Sequence, residues 1–443
     1  MDIMDIMDIM DIMDIKVHVN PQQLDICKLI INRSLKNNLI IKQKVNSIIN
    51  HVKCDGDLAI KNYSIKYDKC NLKNIVVSKE EILRANSKIS DKLKKSIDIA
   101  YKNIYLFHTK QLHKECEIQI ISGVKCWRKL IPIEKIGLYI PGGSAPLFST
   151  VLMLGIPSKI AECKEVILCS PPNQYGEIAP SILYTAQYIG IKKIYKVGGA
   201  QAIAAMAIGT KTIPKVYKIF GPGNAYVTEA KQNVFQNGMV SIDMPAGPSE
   251  VAILADDTAV PDYVASDMIS QAEHDPESYI LLVTVNKLNW VDKVKNELNK
   301  QLQSIASRYN IIKHSLKQSK IIIVYSLEQG IKIINQVAPE HLMICCKDYL
   351  KLSKQIKNAG SIFLGNYSPV SIGDYISGTN HVLPTDGYAK SYSGISVNSF
   401  MKTISFQQIS KNGLETLSYA ANIMAVEEGM IAHKNSINIR LNK

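Results

Sequence analysis

A chain of 443 residues is long enough for two or three domains, and 46% hydrophobic with 21% charged side chains is an ordinary globular mixture, which excludes a mainly disordered chain. The formal charge of +13 does not indicate a nucleic-acid partner, because only five of the 52 basic residues are arginine (Arg33, Arg84, Arg128, Arg308, Arg440) and the lysines form no stripe. Nine cysteines without C-x-x-C spacing point to a reduced, cytoplasmic protein, and the absence of a long apolar run leaves no membrane span or signal peptide to expect.

Residues 1–15 repeat Met-Asp-Ile five times, a period that suits neither helix nor strand. With the next three residues they read as a low-complexity tail, 1–18. From Asn20 to about His113 apolar residues recur at three and four spacing, as in Ile82, Leu83, Ala85, Ile89, Leu93 and Ile97, which predicts helix. β-rich runs then alternate with helical stretches, at 135–140, 165–169, 193–197, 215–220, 251–255, 278–285 and 320–324. That alternation predicts an α/β fold of parallel sheets covered by helices. Residues 366–386, rich in Gly, Ser, Pro and Thr, read as an ordered functional loop. Near the end Leu414, Leu417, Ala420, Ala421, Met424 and Ala425 make an apolar helical stripe that is expected to pack on a neighbour or on another subunit.

Three β-rich runs end at glycine turns that precede helical segments: Pro141-Gly142-Gly143-Ser144, Gly198-Gly199-Ala200-Gln201 and Gly221-Pro222-Gly223-Asn224. A strand, a glycine turn and a helix start leave backbone N–H groups and the positive end of a helix dipole at the carboxyl edge of a sheet, which suits phosphate. None of the turns is a G-x-G-x-x-G and no acid is placed for a ribose, so each alone also reads as an ordinary βα turn. Three together favour an anionic ligand, a dinucleotide held in an unusual way.

Gln271 and His274 lie three apart and share a helix face, which makes half a metal site or a surface pair. Further ligands are available in Asp374, His381, Glu428 and His433, and such a nitrogen and oxygen set suits zinc or manganese. Pro339-Glu340-His341 sets an acid beside an imidazole at what Pro339 marks as a loop or strand end, where His can serve as a base near neutral pH and Glu as a second base. Cys163 and Cys169 are expected to pack as small apolar residues.

Taken jointly and in order, GLYIPGGSAPL (137–147), VGGAQAIAAMAIGT (197–210), GPGNAYVTEAK (221–231), IDMPAGPSEV (242–251), SQAEHDPES (270–278), APEHLMI (338–344), GDYISGTNHVLPT (373–385) and EEGMIAHKNS (427–436) resemble the histidinol dehydrogenase family. The resemblance runs from about Arg128 to Asn435 and leaves out the tail and the lysine-rich helical start. It implies a zinc-containing enzyme of histidine biosynthesis that oxidises L-histidinol to the aldehyde and then to L-histidine, reducing two NAD+. It implies one zinc held by Gln271, His274, Asp374 and His433, His341 as general base, Glu340 as activator of water, and Ser249 and Glu428 on the substrate together with the zinc ligands and His341. It implies NAD+ contacts at Tyr139, Gln201 and Asn224.

The fold so implied is α/β, two incomplete Rossmann-like domains with parallel sheets and helical ends exchanged in an intertwined homodimer. The first domain would comprise 19–137 and 250–386, the second, NAD-binding, 138–249, and the dimerisation segment 387–443. Glu428 and His433 would then reach the site from the partner chain. The other readings are a zinc-dependent dehydrogenase of a different amino alcohol and a non-catalytic zinc-binding protein of the same fold.

Overall fold

The computed structural model describes residues 15–22, 39–112, 116–142, 145–245, 247–285, 287–305 and 307–442. Residues 1–14 of the Met-Asp-Ile stretch, and Gly143 and Ser144 of the first glycine turn, lie outside them.

The chain opens with strand β1 (Lys16–Val19) and continues, after residues outside the description, into helices α1 (Leu39–Asp55), α2 (Asp57–Tyr63), α3 (Lys79–Lys88) and α4 (Asp91–Thr109). The last two start where the sequence supplies caps. Ser78 and Glu81 form a capping box on α3, and the Ser90 side chain accepts the Leu93 N–H on α4. A hairpin of β2 (Glu117–Ile121) and β3 (Val124–Pro132) follows.

The first parallel sheet is then wound as β4 (Lys135–Tyr139), α5 (Phe148–Ile160), β5 (Glu165–Ser170), α6 (Pro180–Ile189), β6 (Lys193–Lys196), α7 (Gly199–Ile208), β7 (Lys218–Phe220), α8 (Ala225–Gln236) and β8 (Ser241–Ile242). Its order is β6-β5-β4-β7-β8, all neighbours parallel. The second is wound as β9 (Glu250–Ala255), α9 (Pro261–Ala272), β10 (Tyr279–Thr284), α10 (Leu288–Leu302), α11 (Tyr309–Gln318), β11 (Lys320–Ile323), α12 (Leu327–Val337), β12 (His341–Cys345), α13 (Tyr349–Ser353) and β13 (Ser361–Leu364). Its order is β1-β11-β10-β9-β12-β13, again all parallel. After α14 (Val370–Tyr375), strand β14 (Met401–Ile409) pairs antiparallel with β3, and α15 (Lys411–Glu427) and α16 (Ile431–Arg440) close the chain.

Counted along the chain within each unit, both parallel sheets share one strand order, the Rossmann half with its reversal at the first strand, so the predicted α/β class of two Rossmann-like sheets stands. Their strands read as continuous apolar runs because both faces are covered: every residue of β9 and of β12 is buried.

Packing alters the expected partition. The helices of residues 39–109 pack mainly on the five-stranded sheet, although Asn103 of α4 also donates to the Ile376 carbonyl oxygen. Val45, Ile49 and Ile60 of α1 and α2 pack with Tyr139 and Ile203 on one side of the five-stranded sheet, and Ala85, Ile97 and Ile104 of α3 and α4 pack with Leu152 and Ile182 on the other. Among the described residues before β2, β1 is the strand that joins the six-stranded sheet. With Ile15 at 3% exposure beside it, the end of the supposed tail is an edge strand, and the three-residue repeat hid it by masking the alternation of Lys16–Val19. A boundary at 138 would also cut through β4, and the segment after 387 is not all helix, since β14 stands between.

Candidate active site

The acid–base and metal candidates gather at the amino edge of the six-stranded sheet. Glu340 and His341 open β12, and Glu250 opens the neighbouring β9. Gln271 ends α9, which returns antiparallel to the strands and so delivers His274 to the same edge. Asp374 comes from α14. Arg308 holds this corner in place: its guanidinium donates to the carbonyl oxygens of Glu273 (2.9 Å) and His274 (3.1 Å).

His341 is 5% exposed, and its Nδ1 lies 3.0 Å from the Glu250 carbonyl oxygen. A carbonyl can only accept, so Nδ1 carries a hydrogen, and Nε2 is the nitrogen that gains or loses the proton when the ring titrates. That Nε2 is buried without a hydrogen-bond partner and points toward Asp374, 3.7 Å from Oδ1. Burial alone would lower the imidazole pKa, but the Glu340 carboxylate 3.5 Å from Nδ1, then Asp374 and the Glu250 carbonyl, carry it up to about 9. Glu340 is fixed in turn by the Glu250 N–H, which donates to Oε2 at 2.7 Å.

Asp374 Oδ2 stands 3.9 Å from His274 Nε2, too far for a hydrogen bond. Two ligands at ~2.1 Å from one tetrahedral ion sit about 3.4 Å apart, so the gap fits a shared cation after a small closure. The Gln271 amide nitrogen, on the helix turn before His274, is buried and without a hydrogen-bond partner, and the amide turned end for end offers its oxygen in the same place. These three residues fit zinc in donor chemistry but leave a fourth position to fill. Among the described residues no three His, Cys, Asp or Glu side chains come close enough to hold a metal by themselves. Glu428 and His433, at the end of α15 and the start of α16, are exposed on the surface, and the chain does not bring them to this group. Ser249, half-buried, immediately precedes Glu250.

The glycine turns lie at the carboxyl edge of the five-stranded sheet, as their strand–turn–helix order requires. Tyr139 ends β4 and accepts the Gly199 N–H on its hydroxyl oxygen at 3.1 Å; burial pushes that phenol up to about 12, so its own O–H stays available to donate. Gln201, in the first turn of α7, is 3% exposed and folds back over Gly199, where a Cβ would lie 2.8 Å from its Oε1. Asn224 is exposed and caps α8, accepting the Tyr226 and Val227 N–H groups. Cys163 and Cys169 are not activated: burial pushes both thiols up, Cys163 to about 12.

His381 ties the two edges together. Its Nδ1 donates to the Asp374 carbonyl oxygen at 2.8 Å and its Nε2 lies 3.1 Å from the Thr150 hydroxyl of α5. Burial lowers its pKa and so favours the neutral ring, in which Nε2 accepts from the Thr150 hydroxyl. His381 is therefore a strut behind Asp374 instead of a further ligand. Glu250, Arg308 and Thr150 were not singled out from the sequence, because none belongs to a pair or spacing that carries chemistry.

The chain matches the model of a protein family described as histidinol dehydrogenase over residues 31–441. It is 48% identical over 413 residues to a histidinol dehydrogenase of Bacteroides thetaiotaomicron, covering 93% of this chain and 96% of that one. With the histidinol dehydrogenase of Escherichia coli K12 it shares 47% identity over 403 residues, 91% and 92% of the two chains. The crystal structure of histidinol dehydrogenase from Elizabethkingia anophelis superposes with a TM-score of 0.93 at 46% identity, covering 97% of this chain and 98% of that one.

Proposed function

The chain belongs to the histidinol dehydrogenase family of oxidoreductases, and from that premise we propose that it oxidises L-histidinol to L-histidine through L-histidinal in two successive NAD+-dependent steps, the last of histidine biosynthesis. The observation that carries the reading is the His341 ring, oriented by Glu250 with its basic nitrogen free, buried and facing Asp374.

In the first step His341 Nε2 takes the proton of the substrate hydroxyl while the carbinol carbon gives its hydride to the nicotinamide. In the second, the Glu340 carboxylate takes a proton from the water that adds to the aldehyde, and the resulting hydrate gives the second hydride to a second NAD+ and a hydroxyl proton to His341 Nε2, which has released its first proton to solvent. Zinc bound by Gln271, His274, Asp374 and His433 of the partner subunit would supply a fixed charge for the substrate's imidazole and amine, and would draw the His341 pKa below the value of about 9 that the carboxylates alone impose. Ser249 and Glu428 complete the substrate pocket. Tyr139, Gln201 and Asn224 receive NAD+ at the glycine turns.

The shared site calls for a homodimer. In support, Ile423, Met424 and Val426 of α15, Ile431 and Ile439 of α16, and Met430 between the two helices are exposed. A groove of about 730 Å³ on the three-stranded sheet is lined by Ile118, Trp127, Leu130 and Phe406. Apolar surface of this extent is normally covered by another chain. No helix among the described residues is long and apolar enough to cross a membrane.

The assignment of roles is tested by timing the two oxidations separately. His341→Asn should slow alcohol oxidation by roughly 10² to 10⁴, the range of a lost general base. Glu340→Gln should slow the oxidation of supplied L-histidinal more than that of L-histidinol. Equal losses in both steps for Glu340→Gln would count against its role on water.

A further inference from the structure

We infer that the buried Lys231–Asp243 ion pair is a positioning element that sets the cofactor turn in place relative to the acid–base pair. This rests on the reading of Gly221 to Asn224 as a turn that receives NAD+.

Lys231 lies on α8 and Asp243 just beyond β8; their side chains are 4% and 1% exposed and 2.5 Å apart. Two charges so far from water are stable only if their remaining hydrogen-bonding capacity is used, and an apolar pair would fill the same space at no loss of packing. What the apolar pair could not do is hold the backbone. Lys231 Nζ donates to the Gly221 carbonyl oxygen at 2.9 Å, and the Gly221 N–H donates to Asp243 Oδ2 at 2.8 Å. Both polar backbone groups of the first residue of the turn are thus held by the pair. Gly221 has φ +130°, and a Cβ there would strike the Tyr139 carbonyl oxygen, so the turn is pressed against the end of β4. Lys218, the other cation near Asp243, donates instead to the Ser399 carbonyl oxygen.

The same aspartate begins the strip of chain that leads to the chemistry. Its Oδ1 accepts the Met244 N–H at 2.7 Å, and further along the Gly247 N–H donates to the Thr385 hydroxyl. At the end of the strip Glu250 accepts the Asp386 N–H on Oε1 (3.0 Å), donates its own N–H to Glu340, and orients His341 through its carbonyl. Cofactor turn and general base are therefore connected by a short segment anchored at both ends. Hydride transfer needs the reacting atoms about 3–3.5 Å apart, so a small drift of the turn lowers rate as well as affinity. Histidinol, held at the far end of the strip, should be indifferent to it.

The test uses the full-length holoenzyme in four forms: wild type, Lys231→Met, Lys231→Arg and Asn224→Ala, the last as the marker of the turn. KM for NAD+, kcat, the deuterium isotope effect with histidinol labelled at the carbinol carbon, and histidinol Kd without NAD+ are read for each, with the melting temperature as the check on folding. Lys231→Met should raise KM for NAD+ at least roughly tenfold, the scale of a lost hydrogen bond to a charged group. It should also enlarge the isotope effect and leave histidinol Kd within about twofold, with Lys231→Arg recovering part of the loss. The proposal is overturned if Asn224→Ala raises KM for NAD+ and Lys231→Met does not, or if Lys231→Met weakens histidinol and NAD+ alike. An unchanged KM in Asn224→Ala would instead remove the turn from the cofactor site and the proposal with it. Should Lys231→Met fail to fold, Asp243→Asn, which keeps the shape of the site, carries the same prediction and the same refutation.

Discussion

A single hydrogen bond decides what His341 can do. Because Nδ1 must donate to the Glu250 carbonyl oxygen, the nitrogen left over faces Asp374 and the space where the candidate ligands converge. Losing one ligand should therefore be separable from losing the base. His274→Asn should lower zinc content and weaken histidinol binding by about one to two orders of magnitude while the His341 and Glu340 geometry survives. Metal analysis and calorimetry check this, and full zinc with full histidinol affinity would show that His274 is no ligand. At this scale Gln271 with His274 and Glu340 with His341 were legible in the sequence, since each is a close pair of reactive side chains. Glu250 and Arg308 were not. One is a lone acid at the head of an apolar strand and the other acts through carbonyl oxygens, and neither leaves a spacing to read.

Among the elements, the glycine turns and the helix behind the site make the sharpest predictions. Gly221→Ala should cost cofactor binding and stability together, because φ +130° is strained for any side chain and the added carbon meets Tyr139. A drop in melting temperature with a higher KM for NAD+ is expected; an alanine enzyme with wild-type values in both would contradict the turn as described. His108, at the end of α4, is fully buried against Gln111, and Asn380 lies 3.4 Å from its ring; burial holds its pKa below the ordinary 6.5. The unfolded chain then binds the proton more readily, so the neutral ring's stability is present above about pH 6.5 and is lost as the pH falls. His108→Gln should flatten the fall in melting temperature as the pH drops below about 6.5. Seven of the parallel strands were readable because two covered faces leave continuous apolar runs, while β12, as buried as any, was read only as an acid beside an imidazole. The hairpin strands β2 and β3 and strand β14 were not, since their exposed residues break any such run, as the EIQII and MKTISFQQI segments show.

For the whole molecule the question is where His433 acts. One chain places it on the exposed surface of α16, while the donor set of Gln271, His274 and Asp374 lacks a fourth member. If the partner supplies it, a mixed dimer of His341→Asn and His433→Ala chains contains one site with both residues intact. Random mixing of two inactive variants should then restore about a quarter of wild-type activity, the share expected for sites exchanged across a two-fold axis. No recovery after verified subunit mixing would place His433 in its own chain's site or outside the chemistry. The parallel sheets followed from the sequence pattern and their strand order did not; this sharing of sites could come only from the family resemblance, because one chain's periodicity says nothing of a second chain.

A four-electron oxidation at a zinc-dependent site fixes the ratio of the two products. With purified protein and L-histidinol, NADH formed is counted against L-histidine produced, before chelation, after chelation and after zinc is returned. Two NADH are expected for each L-histidine, lost with the metal and restored by zinc. One NADH with aldehyde as the end product, or undiminished turnover after complete metal removal, would contradict it.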